Sequence, residues 1–241
     1  DSGIYVDITS TSGISLEGQL SFCSIFFDYD KDGLQDIYVS NDKEENINRL
    51  YKNLGDGVFQ DVSDSSNAGV DVSAMSTTLG DFNNDGWFDI YITNTPFSQV
   101  SSIQGNVLLK NNGDGTFTNV ATETGTSFDS VGWGAVFLDA DNDGLLDVYV
   151  SSSENGNGSL ISSAFYHQQT DETFIIPQDI GFNIDLRESY SNAIGDINND
   201  GKPEIVVGND TENNFLWQNN TSNENNWLKV KLEGVVSNKD G

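Results

Sequence analysis

Four stretches decide how this chain is read: DYDKDGLQDIYV (28–39), DFNNDGWFDIYI (81–92), DADNDGLLDVYV (139–150) and DINNDGKPEIVV (196–207). Each follows D-x-[DN]-x-D-G-x-x-[DE], and successive copies start 53, 58 and 57 residues apart. A nine-position pattern recurring at near-constant spacing marks a tandem repeat, so one structural unit is used several times.

More of the unit emerges on either side of these loops. An apolar or small-residue run precedes each: SFCSIFF, AMSTTLG, GWGAVFL and SNAIG. A short apolar run such as Ile37-Tyr38-Val39 follows, as in a strand covered on both faces. After a variable polar stretch comes NRLYKN (48–53) or NVLLKN (106–111). Next is a Gly-Asp-Gly turn (55–57 or 113–115), leading into VFQDV or TFTNV. Asp-Gly between apolar runs signals a hairpin, because Gly supplies the positive φ of the turn. The third copy, Thr170-Asp171-Glu172-Thr173-Phe174, keeps the aromatic residue and loses the glycines.

Each unit therefore reads as about four strands. The fold class is all-β, and tandem four-stranded units predict a β-propeller of roughly four blades. A parallel β-helix would need much shorter periods. Ile4-Tyr5-Val6-Asp7-Ile8 repeats the pattern of the closing strand VFQDV, so the chain opens inside a unit.

The loops present oxygen donors at alternating positions, which is what a hard divalent cation with six to eight ligands requires. The first would use Asp28, Asp30, Asp32 and Asp36 with the carbonyl of Leu34. The second would use Asp81, Asn83, Asp85 and Asp89 with Trp87. The third offers Asp139, Asp141, Asp143 and Asp147 with Leu145, and the fourth Asp196, Asn198, Asp200 and Glu204 with Lys202. The loop glycine, Gly33 in the first copy, lets the chain turn sharply enough for these groups to converge. The first and third loops hold four carboxylates and the second and fourth three, fourteen in all. Such crowding repels strongly without a cation. Calcium, about four ions, is expected rather than magnesium, which demands a tighter octahedron, or zinc, which would bring His or Cys. The fourth site is expected to be weakest, since Glu204 is longer than Asp and Pro203 restricts the chain. EF-hand-type helical loops are rejected, because their twelfth-position ligand is replaced here by Val39, Ile92, Val150 and Val207.

The formal charge of −28, from 10 basic and 38 acidic residues, disfavours nucleic acid and anionic membrane surfaces as partners. Four calcium ions would bring it to −20. A single cysteine, Cys23 in the apolar run 22–27, excludes an internal disulfide framework and reads as a buried strand thiol. The chain begins at Asp1 with no signal peptide, and no apolar run is long enough to span a bilayer. It is expected to be a fragment of a processed protein.

These residues resemble the FG-GAP/VCBS repeat family, whose blades form calcium-bearing propellers, including those at the head of integrin α subunits. The resemblance covers about residues 1–220 and rests on the four loops with NRLYKNLGDGVFQDV and NVLLKNNGDGTFTNV. It implies a propeller of about seven blades, of which this chain holds about four, in a secreted or cell-surface protein used for adhesion. The other blades would belong to the same full-length chain. Residues 225–241, NNWLKVKLEGVVSNKDG, resemble the opening of an ASPIC/UnbV domain, with Leu228, Val230 and Leu232 alternating as in a half-buried strand. The expected division is a repeat segment over 1–222 and the start of a second domain over 223–241.

The expected function is a non-catalytic extracellular binding module with structural calcium, recognising a protein or glycan through the variable loops 41–46, 93–104 and 151–162. The alternatives are the propeller portion of a secreted carbohydrate-active enzyme and a structural spacer. The sequence carries no Ser/His/Asp set or phosphate-cradling loop, and its one histidine, His167, stands where the sister strands carry Lys.

Overall fold

A computed structural model describes residues 3–15, 18–43, 45–96, 103–128, 130–153, 163–178, 180–182, 185–231 and 233. Residues 97–102 and 154–162 of the variable loops 93–104 and 151–162, Glu44, Leu232 and residues 234–241 lie outside the described residues.

The first blade comprises β1 (Ser21–Phe27), β2 (Asp36–Asn41), β3 (Arg49–Asn53) and β4 (Phe59–Asp61), hydrogen-bonded in that order. The second repeats it with β5 (Ala74–Gly80), β6 (Asp89–Asn94), β7 (Val107–Asn111) and β8 (Phe117–Asn119). In the third, β9 (Val131–Leu138), β10 (Asp147–Ser153), β11 (Ser163–Gln168) and β12 (Phe174–Ile175) are joined in the same way. The fourth has three strands among the described residues, β13 (Ser189–Gly195), β14 (Glu204–Asn209) and β15 (Phe215–Trp217). All neighbouring pairs within the four sheets are antiparallel.

Each Asp-rich loop joins the first strand of its blade to the second, as its flanking apolar runs require. The first strands, β1, β5, β9 and β13, lie next to one another in chain order. Three apolar cores fill the gaps between consecutive sheets. These are the features of consecutive propeller blades, each sheet burying its faces against its neighbours. The centre of the second strand is a buried tyrosine in three blades. The Tyr38 and Tyr91 hydroxyls donate to the carbonyls of Ala68 and Thr126, both at 2.9 Å, and that of Tyr149 donates to Asp185 at 2.5 Å. In each case the bond pins the segment leading into the next blade.

Two sequence readings change. Cys23 is half-buried rather than buried, because it stands on β1, the edge strand of the first sheet, where Phe22 and Phe26 are also exposed. Residues 225–231 form no strand, and Leu228 and Val230 are exposed, because alternation makes a strand only where a ladder partner is present.

Candidate metal centres

The four loops have one conformation. Their sixth residues, Gly33, Gly86, Gly144 and Gly201, have φ of 87°, 85°, 85° and 82°. The fourth residues, Lys31, Asn84, Asn142 and Asn199, are also left-handed, at 55–58°. Asn tolerates that region better than other non-glycine residues, which explains its use in three of the four copies.

The first aspartate organises each loop. In the first copy Asp28 Oδ1 accepts the N–H of Asp32 at 3.1 Å and Oδ2 that of Gly33 at 2.9 Å. Asp81, Asp139 and Asp196 accept the same pair of N–H groups in their own loops, at 2.8–3.1 Å. The fifth aspartates, Asp32, Asp85, Asp143 and Asp200, accept the N–H of the seventh residues, Leu34, Trp87, Leu145 and Lys202, at 2.8–2.9 Å. The fourth loop keeps this frame intact, so Pro203 does not distort it.

Two groups of three carboxylates result, Asp28–Asp30–Asp32 and Asp139–Asp141–Asp143, each with oxygens within 4.8 Å of one another. The donors are all hard oxygens, and neither His nor Cys joins either group, so the residues present fit Ca²⁺. In the second and fourth loops the third position is an amide, and Asn83 and Asn198 donate to Asp85 (2.8 Å) and Asp200 (3.0 Å). At the first loop the ammonium of Lys52 bridges Asp30 and Asp32, placing one positive charge among the three acids. Asp32 is held below the usual carboxylate range, first by the Leu34 N–H and then by Lys52.

The ninth residues are not in these groups of three, although Asp36 and Asp89 still feel the charges of the acids in their own loops, and they brace the corner. Asp36 accepts the N–H of Tyr29 at 3.0 Å and of Asn53 at 2.7 Å. Asp89 accepts those of Phe82 and Asn111 at 3.0 and 2.8 Å. Asp147 accepts those of Ala140 and Gln168 at 3.2 and 2.9 Å, and is joined by His167 Nδ1 at 2.9 Å. Each buried carboxylate thus ties its loop to the third strand of the same sheet. Burial pushes all three up, Asp89 to about 7 and Asp147 to about 6. Glu204 keeps one half of the brace, accepting the Ile197 N–H at 2.9 Å. Its other oxygen is buried without a partner among the described residues. The fourth site therefore departs from the others at the brace, through the length of Glu204.

A second set of polar residues, unnoticed in the sequence, links each of the first three loops to the following blade. Asn111 Nδ2 donates to the carbonyl of Tyr29 at 2.9 Å, Gln168 Nε2 to that of Phe82 at 2.7 Å, and Asn219 Nδ2 to that of Ala140 at 2.7 Å. The signal was present as a polar residue after Lys52, Lys110, His167 or Gln218, at or just beyond the end of each third strand. Its partner lies in another repeat, so spacing alone could not show it.

Fold and loops together define a β-propeller-like module of tandem blades with acidic corners. Its repeats are FG-GAP repeats: the FG-GAP-like repeat profile matches residues 28–92 and 98–150, and the FG-GAP repeat profile matches residues 189–225. No curated protein matches the sequence. Among solved structures, similarity is found to an Agrocybe aegerita lectin described for specific recognition of non-reducing terminal N-acetylglucosamine. That match has 18% identity and a TM-score of 0.42, covering 81% of this chain and 51% of the lectin. A Trypanosoma rangeli sialidase in complex with the inhibitor DANA matches at 11% identity and a TM-score of 0.45, covering 84% of this chain and 32% of the sialidase. The chain thus spans about half of the first protein and a third of the second.

Proposed function

We propose that this chain is a non-catalytic, calcium-stabilised FG-GAP module of an extracellular or cell-surface protein, serving adhesion or the binding of a protein or glycan. The observation that carries the calcium reading is the convergence of three carboxylates within 4.8 Å in both the first and third loops. Charges this close are costly unless a cation joins them. Carbonyls of the seventh residues and water would complete each shell. The ion would then hold the loop whose two ends begin and close the blade's first hairpin, so that its binding supports folding rather than chemistry. Recognition would fall to the variable loops on this frame. No helix among the described residues is long and apolar enough to cross a membrane.

Calorimetric titration of Ca²⁺ into chelator-treated protein tests the reading. About four ions should bind, the first and third loops more tightly than the second and fourth, which offer one carboxylate fewer. Thermal stability should fall on chelation, since an ion bound only by the folded form stabilises it. Absence of binding heat together with an unchanged melting temperature would refute the proposal.

A further inference from the structure

The residue before Asn53, Asn111, Gln168 and Asn219 changes from blade to blade: it is Lys52, Lys110, His167 and Gln218 in turn. Lys52 stands on β3, paired with Gln60 of β4. Its neighbour Asn53 ties that point of the strand to the first loop twice. The Asn53 N–H donates to Asp36 at 2.7 Å, and its Nδ2 donates to the carbonyl of Gln35 at 2.8 Å. The stem of Lys52 thus starts from a fixed place beside the loop. Its half-buried side chain carries the ammonium onto Asp30 and to 3.1 Å from Asp32. The hydrogen bond to Asp30 pushes the ammonium up, so its charge persists at neutral pH.

The sister positions send their side chains elsewhere. Lys110 pairs with Glu172 of the third blade at 3.4 Å, and in its own loop the amide of Asn83 already donates to Asp85. At the third loop the residue is His167, whose Nδ1 goes to the brace Asp147 at 2.9 Å. The acids of that loop keep more of their mutual repulsion: burial, and then Asp143, push Asp141 up. The first and third loops share one pattern of carboxylates and one backbone frame. Among the described residues, an ammonium joins the third and fifth acids in the first loop alone.

We propose that Lys52 is a tethered counter-ion of the first loop: its ammonium stands in for a divalent cation when none is bound, and competes with one for Asp30 and Asp32. This rests on the calcium reading above and adds an order to it, the third loop binding Ca²⁺ more tightly than the first. Two cations that approach the same carboxylates repel each other at such distances. Ca²⁺ entering the first loop must therefore drive the ammonium out to water and break its contacts with both acids. At the third loop it meets carboxylates whose repulsion it relieves directly. Lys52 then has opposite effects in the two states. Without calcium it offsets the repulsion among Asp28, Asp30 and Asp32 and steadies the corner between β1 and β2. With calcium it weakens binding. A lysine suits both tasks, because its compact charge rides on a flexible stem that can swing aside. The first blade thus keeps its corner at calcium levels that leave its loop empty, whereas the third depends on the ion.

Calcium titration of the chelator-treated chain, followed by NMR at the Gly33 and Gly144 amides, reads the two loops separately. Gly144 should reach its midpoint at roughly tenfold lower calcium than Gly33, the size set by one unit charge opposing a nearby divalent ion in a largely aqueous surrounding. Lys52→Met should draw the Gly33 midpoint down to that of Gly144 and leave Gly144 unmoved, while lowering the melting temperature in chelator. Lys52→Arg, which keeps the charge, should leave the two midpoints apart. A Gly33 midpoint that Lys52→Met leaves in place or raises would overturn the proposal, as would an unchanged melting temperature in chelator. If neither amide responds to saturating calcium, the calcium reading fails and the proposal with it. If Gly144 responds while Gly33 ignores the substitution, the role of Lys52 falls and the calcium reading stands.

Discussion

Between the second and third blades Phe82 meets Phe174 and Gln168 bonds the Phe82 carbonyl. Between the third and fourth blades the matching bond, from Asn219 to Ala140, is kept at the same 2.7 Å, yet a cavity replaces the aromatic pair. The comparison separates two jobs that the repeat performs together. Amide bonds to the loop backbone hold neighbouring blades at a set distance, whatever the side chain at the second loop position. Ring volume then decides whether the space so defined is solid or hollow.

Truncation should break this contrast most visibly. Phe82→Ala would open a void in the filled interface and cost about 3–5 kcal/mol, read from urea denaturation of dilute protein. Ala140→Phe, entering space already empty, should cost less than about 1 kcal/mol or stabilise. Equal losses from the two would mean that the interfaces do not differ in packing.

The braces offer a second contrast. Asp89→Ala leaves two buried N–H groups, of Phe82 and Asn111, without an acceptor, and should cost about 3 kcal/mol. Glu204→Ala orphans one N–H, that of Ile197, and relieves a buried oxygen without a partner among the described residues, so about half that loss is expected. A larger loss at Glu204 would show that its second oxygen holds an ion tightly.

A smaller effect should follow pH. Burial raises Asp89 to about 7 and Asp147 to about 6, above the value near 4 of an unfolded carboxylate. Stability from such a group is complete below the unfolded value and is lost as pH rises through the folded one. Chelator-treated protein should therefore melt at a lower temperature at pH 8 than at pH 5. Excess Ca²⁺ should flatten or reverse the trend by favouring ionised loops. A chelated protein that becomes more stable with rising pH would contradict the placement of these acids.

Much of the frame was legible in advance. The runs read as strands before the loops appear as β1, β5, β9 and β13, and the Asp-Gly turns appear at 55–57 and 113–115 with positive φ. The degraded third copy keeps its turn through Glu172 at φ 66°. What could not be read was the double use of the loop acids. The first, third and fifth positions converge, whereas the ninth turns inward to the backbone of a strand 17–22 residues away. A carboxylate has the same letter in either role, and only burial distinguishes them.

The sequence by itself determined the all-β repeat and the conformation of its corners. Those depend on bonds closed within nine residues, on glycine at the sixth position, and on alternation along single strands. Tertiary structure alone decided which corners are tied to which blades, because the bond from Asn111 to Tyr29 spans 82 residues. It also decided where the interior is left empty. That outcome follows from the absence, among the described residues, of two ring volumes at one interface, a sum over residues from different repeats that no local pattern contains.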